Sequence, residues 1–116
     1  MVAAAKITHM FDLSQTPSIA NHFIAELRDV NVQSDRMRFR RNLERLGEIL
    51  AYEVSKTLAY TPKSIATPLG EAEVALSDQK VVLATILRAG LPMHQGMLHY
   101  FDHAESAFVS AYRKHH

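Results

Sequence analysis

Val81-Val82-Leu83-Ala84-Thr85-Ile86-Leu87-Arg88-Ala89-Gly90 is the stretch on which the fold turns. Up to Leu87 it is an unbroken apolar, β-branched run, the pattern of a strand buried on both faces. The run stops at a single arginine followed by two of the smallest residues. Leu91-Pro92-Met93-His94-Gln95-Gly96-Met97-Leu98 then opens an amphipathic segment that reads as a helix. Open α/β sheets bind ligands beyond the carboxyl ends of their strands. Helix N-termini and turns of bare N–H groups attract phosphate oxygens there. Arg88 adds a planar, permanently charged fork that matches phosphate geometry. An anion site is therefore expected at residues 88–90.

Working outward, residues 80–87 are expected as the buried strand and 91–101 as the helix behind it. Asp102-His103-Ala104 connects to a second, inner strand over 105–112, completing a βαβ crossover that should be right-handed. Upstream, Ile65-Ala66-Thr67 and Ala72-Glu73-Val74-Ala75-Leu76 flank Pro68-Leu69-Gly70, a β-hairpin pattern. Two helices precede it. Thr16 as N-cap with Pro17 at the first helical position predicts one over 18–29, its apolar face Ile19, Phe23, Leu27 and Val30. Ser34 or Asp35 caps a longer one. Its stripe of Phe39, Leu43, Leu46, Leu50, Val54 and Leu58 carries it to about residue 58, before Thr61-Pro62. Residues 1–17 read as a flexible or strand-like arm. Residues 18–116 read as the front half of a larger domain, with helices over 18–60, a β-arm over 64–76 and the βαβ unit over 80–113. Two parallel strands and one crossover helix are a meagre core for this class of domain.

The 116 residues fit one small domain, and 47% of them are hydrophobic, enough for a core. Thirteen Lys and Arg against 12 Asp and Glu leave a formal charge of +1. That balance gives no global pull toward nucleic acid or anionic membrane, so any anion site must be local. The absence of cysteine excludes disulfides, thiolate nucleophiles and Cys-based zinc sites. No stretch approaches the ~20 apolar residues of a membrane span, and the N-terminus lacks a secretory pattern. A soluble cytoplasmic protein is expected.

Ile86-Leu87-Arg88-Ala89-Gly90-Leu91, followed by Tyr112-Arg113, resembles the uracil phosphoribosyltransferases, a branch of the type I phosphoribosyltransferase fold. Asp35-Arg36-Met37-Arg38-Phe39-Arg40 leading to Leu50-Ala51-Tyr52-Glu53 looks like that family's first long helix. Thr67-Pro68-Leu69-Gly70 sits where the family carries its β-arm. The fold class expected is thus α/β: N-terminal helices, a β-hairpin arm and the first part of a parallel, Rossmann-like phosphoribosyltransferase sheet, truncated.

The resemblance implies a reaction in which uracil and phosphoribosyl pyrophosphate (PRPP) give UMP and pyrophosphate, with magnesium bound through PRPP. It places pyrophosphate contact on Arg88, with Ala89 and Gly90 letting backbone amides come close, and a further PRPP contact on Arg113. It implies a homo-oligomer, with apolar residues of the long helix and β-arm as candidate contacts. Turns of this kind in that family can carry a strained non-proline peptide bond, which would fall at Leu87–Arg88 or Arg88–Ala89. The family's phosphate-cradling loop and its C-terminal uracil-holding segment are absent from these residues. No catalytic or metal-ligating residue is assigned, and the 116 residues alone are expected to be inactive. The alternative is a non-catalytic, oligomerising α/β module that binds no nucleotide, suggested by an incomplete sheet whose open edge invites pairing.

Other signals read as ordinary surface or core. Met37, Met93 and Met97 suit gap-filling in a core. His99 and His103, four apart beside Asp102, have a spacing that can bind zinc, but no third ligand is placed and an exposed polar face is favoured. Arg36, Arg38, Arg40, Arg41 and Arg45 alternate with Asp35, Glu44 and Glu48, as i,i+4 pairs on a solvated helix face would. A nucleic-acid helix is the competing reading. The expected outcome is no binding to a polyanion such as heparin in a salt titration; affinity falling steeply with salt would favour the nucleic-acid reading.

Overall fold

The structure, a computed structural model, describes residues 10–114. Residues 1–9 of the expected arm lie outside them. Within the remainder of that arm, Leu13–Gln15 form a short 3-10 turn rather than a flexible or extended segment. Asp12 caps it, accepting from the Ser14 amide at 2.9 Å and from the Ser14 and Gln15 side chains. The Ser14 hydroxyl first, then the Gln15 amide, hold the Asp12 carboxyl below its ordinary value. With the folded value depressed, this cap is fully formed above the ordinary carboxylate range and fades as pH falls through the lowered value.

Helix α1 spans Ala20–Arg28. It starts later than Thr16-Pro17 suggested, because Ser18 accepts from the Ala20 amide at 3.2 Å and does the local capping. Ile19 and Val30 consequently fall outside the helix and are exposed. Helix α2 spans Arg36–Ser55 and is capped by Asp35, whose carboxylate accepts from the Arg38 amide at 3.0 Å. It ends short of residue 58. The Ser55 and Thr57 hydroxyls donate to the carbonyls of Tyr52 and Val54, and the Tyr60 hydroxyl donates to that of Ser55. Side-chain donors thus take over carbonyls that a further turn would have used.

Strands β1 (Thr61–Thr67) and β2 (Gly70–Leu76) form the expected hairpin, longer than the apolar residues alone indicated. Pro62 lies within β1, opposite Ala75, instead of only ending the helix. Gly70 closes the turn with φ of +125°, a region that L side chains avoid. The hairpin root is tied down by the Lys63–Asp78 ion pair and by the Ala59 amide donating to Gln79 Oε1 at 2.9 Å.

Strand β3 (Val82–Leu87), helix α3 (Leu91–Tyr100) and strand β4 (Glu105–Ser110) make the βαβ unit, with β3 and β4 parallel. Leu83, Thr85 and Leu87 share one face with Ser106, Phe108 and Ser110, and α3 packs there. The opposite face carries Val82, Ala84 and Ile86 beside Glu105, Ala107 and Val109. It is uncovered, with Val82 58% and Ile86 62% exposed. The expectation of a strand buried on both sides is therefore corrected: its apolar run is continuous, yet among the described residues only one face has a neighbour. The expected inner strand β4 is exposed along its length.

The centre of the molecule is the crossing of α2 and α3. A Cβ on Gly47 would overlap the Met93 carbonyl oxygen and lie 3.1 Å from its carbonyl carbon. A Cβ on Gly96 would overlap the Glu44 carbonyl oxygen and lie 2.8 Å from that carbon. The two helix backbones thus touch at reciprocal glycines, beside buried Leu46 and Ala51. The apolar stripe of α2 is covered only in its middle; Phe39 and Val54, near its ends, are exposed.

The arginines of α2 do more than pair along one face. Arg41 does meet Glu44 at 2.8 Å. Arg38, however, bonds Glu26 of α1 at 3.1 Å, and that same carboxylate oxygen accepts from Asn42 at 3.3 Å. Asn42 is only 1% exposed and also accepts from Arg45 at 3.0 Å, while the Arg45 guanidinium lies over the Phe23 ring. Glu48 accepts from His99 at 2.6 Å instead of pairing with an arginine.

Gly96→Ala or Gly47→Ala must push the two helices apart, because backbone rather than a flexible side chain blocks each methyl. A loss of about 1–3 kcal/mol or more is expected, read as a lowered Tm. Gly70→Ala, with open space around its Cβ, costs only about 1 kcal/mol through its positive φ. Equal Tm values for Gly96→Ala and the parent would refute the close crossing.

Candidate anion site at the carboxyl end of β3

Arg88 stands one residue past β3 and is exposed, as is Ala89; Gly90 is half-buried and serves as N-cap of α3. Among the described residues, no ion pair involves Arg88. A strand-end arginine locked to a neighbouring carboxylate is thus not what the structure contains. The Leu87–Arg88 peptide bond is cis, the first of the two positions the resemblance implied.

The turn is held tightly from inside. The Gly90 amide donates to the Ile86 carbonyl at 3.1 Å, and the Leu91 amide donates to the Arg88 carbonyl at 3.1 Å. Those two N–H groups are therefore engaged within the turn, and the expectation of bare amides narrows to the Arg88–Ala89 side. A Cβ on Gly90 would sit 3.0 Å from the Ile86 carbonyl oxygen and 3.2 Å from Thr85 Cγ2. Glycine is needed here for close packing of the turn on its own strand, beyond any approach of a ligand.

Arg113 follows β4 by three residues and is exposed. Leu87 pairs with Ser110, so the parallel register brings the ends of both strands to one edge of the sheet. The two arginines lie just past that shared carboxyl edge, where α/β sheets receive ligands. Pro92 in the first turn of α3 costs the helix no hydrogen bond.

His94 was not singled out by the sequence reading, and it is the most connected side chain of the site. It is 5% exposed. Its Nδ1 lies 3.1 Å from the Thr85 hydroxyl of β3, and its Nε2 lies 3.0 Å from the Ser106 hydroxyl of β4. A hydroxyl can donate or accept, so either tautomer satisfies both contacts. The Phe108 ring packs against the imidazole at 5.1 Å between centroids. Thr85 and Ser106, polar residues on the covered face of the sheet, were the available sign that something polar packs on it.

The remaining candidates behave as ordinary surface. His99 reaches Glu48 and Gln95. His103 is fully exposed, 3.6 Å from Asp102. Among the described residues, no three His, Asp or Glu side chains are grouped to hold a metal ion. A cavity of about 540 Å³ opens at the opposite, amino-terminal end of β3 and β4, between residues 77–82 and 100–105. Its lining mixes Asp78, Asp102 and Glu105 with Lys80 and His103, and it lies at the wrong end of the strands for the phosphate site that the strand geometry supports. No helix among the described residues is long and apolar enough to cross a membrane.

Comparison with known proteins places this arrangement. The family model described as uracil phosphoribosyltransferase matches residues 13–116. A uracil phosphoribosyltransferase of Porphyromonas gingivalis is 61% identical over 97 residues, covering 84% of this chain and 45% of that protein. One from Thermococcus kodakarensis is 37% identical over 106 residues, covering 90% of this chain and 45% of the relative. A solved protein of Aquifex aeolicus superposes with a TM-score of 0.69 at 27% identity, covering 84% of this chain and 46% of that one. The chain spans a little under half the length of the relatives it matches. Its helices, hairpin and parallel βαβ unit fit a phosphoribosyltransferase-type α/β fold, and the chain belongs to the uracil phosphoribosyltransferase family.

Proposed function

We propose that this chain supplies the diphosphate-holding part of a uracil phosphoribosyltransferase, an enzyme that transfers the phosphoribosyl group of PRPP to uracil. The bond from ribose C1 to the diphosphate oxygen breaks, and a bond from C1 to a uracil nitrogen forms. The proton of that nitrogen passes to solvent, and UMP and pyrophosphate are the products. Positive charge grows on the sugar while negative charge grows on the departing diphosphate. Fixed cationic donors aimed at the leaving group stabilise that transition state. In this reading Arg88 grips the diphosphate, Ala89 and Gly90 let the backbone come close, and Arg113 adds a second cation from the neighbouring strand end. Magnesium arrives chelated by PRPP, since the turn offers cationic groups and no acidic ligands. The setting is cytoplasmic pyrimidine salvage. The single observation that supports this most is the exposed guanidinium at the carboxyl end of a parallel strand, directly before a helix and without an ion-pair partner among the described residues.

A second reading has its own observation. The accessible surface is 9820 Å², against about 6400 Å² for a compact monomer of this mass. Val82, Ile86 and Val109 are exposed together on the open sheet face. A self-associating module that binds no nucleotide would use such a surface. Assembly and diphosphate binding are compatible, and the homo-oligomer belongs to both readings.

Titrating pyrophosphate into the protein, followed by calorimetry or phosphorus NMR, tests the first reading. Arg88→Ala is expected to lose at least about tenfold in affinity, the scale of one or two charge-assisted hydrogen bonds. Unchanged affinity would overturn the assignment, and a tight dimer indifferent to pyrophosphate would favour the module. The 116 residues alone are expected to form no UMP from uracil and PRPP; product from pure material would overturn that part.

A further inference from the structure

We infer that His94 is the positioning residue of the Arg88 turn: it clamps the turn to both parallel strands and so sets the geometry in which the turn meets a diphosphate. The inference rests on the diphosphate reading above and deepens it.

A closed triangle of contacts carries the argument. The His94 backbone amide donates to the Gly90 carbonyl at 3.0 Å, fixing the end of the turn to the first turn of α3. The His94 ring reaches back to the Thr85 hydroxyl at 3.1 Å. Thr85 closes the figure, its Cγ2 methyl lying 3.2 Å from where a Gly90 Cβ would be. The rotamer of Thr85 is thus held by the imidazole on one side and meets the turn on the other. Thr85 is three positions before Arg88 on the same strand, so its placement is transmitted directly to the turn.

The second ring nitrogen extends the clamp. Its contact with Ser106 at 3.0 Å fastens β4 to the same side chain, and β4 leads toward Arg113. One imidazole therefore sets the turn bearing the first cation relative to the strand that leads to the second. A phenylalanine of similar size would fill the volume and pack on Phe108, yet hold neither hydroxyl. An asparagine would place a polar atom near the Nδ1 position and keep the Thr85 bond.

Pyrophosphate titration and amide hydrogen exchange on His94→Phe and His94→Asn separate this role from simple core filling. His94→Phe is expected to weaken pyrophosphate binding about tenfold, while His94→Asn stays within about threefold of the parent. His94→Phe should also speed exchange at the Gly90 and Leu91 amides about tenfold, leaving the amides of Leu46 and Ala51 in α2 unchanged. Parent-like affinity and parent-like Gly90 exchange in His94→Phe would overturn the clamp. So would faster exchange throughout α2, or equal losses in both variants, because the ring would then serve only stability. If the parent chain binds no pyrophosphate, the diphosphate reading fails; the exchange contrast at Gly90 and Leu91 still decides whether His94 holds the turn.

Discussion

Two glycines facing backbone across a helix crossing govern the placement of everything around the proposed anion site. With Gly47 against Met93 and Gly96 against Glu44, α2 and α3 approach until main chain meets main chain. No side chain stands between them to act as a spacer, so α3 has little freedom to slide or tilt. From α3, His94 fixes β3 and β4, and the strand ends fix the arginine turn. The Arg88 turn is therefore positioned from a contact between the middles of two helices.

This order of dependence suits the charge arrangement. The protein is nearly neutral overall, with a formal charge of +1, so long-range attraction contributes little to capturing a polyanion. In the proposed reading, affinity comes from short-range geometry: a planar guanidinium at the mouth of a strand, with a second cation just past the adjacent strand end. Three arginines of α2 are engaged instead within the fold. Arg38 and Arg45 tie α2 to α1 through Glu26, Asn42 and Phe23, and Arg41 meets Glu44. Arg38 and Arg41 thus have acidic partners, whereas Arg88 has none among the described residues.

What could be read from the chain was local, and what escaped it was contact between distant residues. The Asp35 cap, the Pro68-Leu69 turn and the break at Arg88-Ala89-Gly90 follow from neighbours a few positions apart, and they stand where the residues indicated. The helix ends moved because hydroxyls compete for backbone groups: Ser18 set the start of α1, and Ser55, Thr57 and Tyr60 closed α2. Gly47 and Gly96 look like weak points within helical stretches until each is seen against the other helix. Asn42 and His94 are polar residues whose partners lie up to 16 positions away, beyond any periodicity argument. The apolar run of β3 was read correctly as a strand, but a run cannot say whether both of its faces find cover.

That uncovered sheet face bears on how the molecule unfolds. The heat capacity change and the denaturant dependence of unfolding both scale with the area newly exposed when structure is lost. A chain that already leaves Val82, Ile86, Val109 and most of its hairpin in water has less to expose. Its unfolding should therefore show a smaller heat capacity increment and a shallower urea slope than its length would suggest. The stability curve is correspondingly flat, so cooling would weaken the fold less than it does in a fully packed domain of equal size.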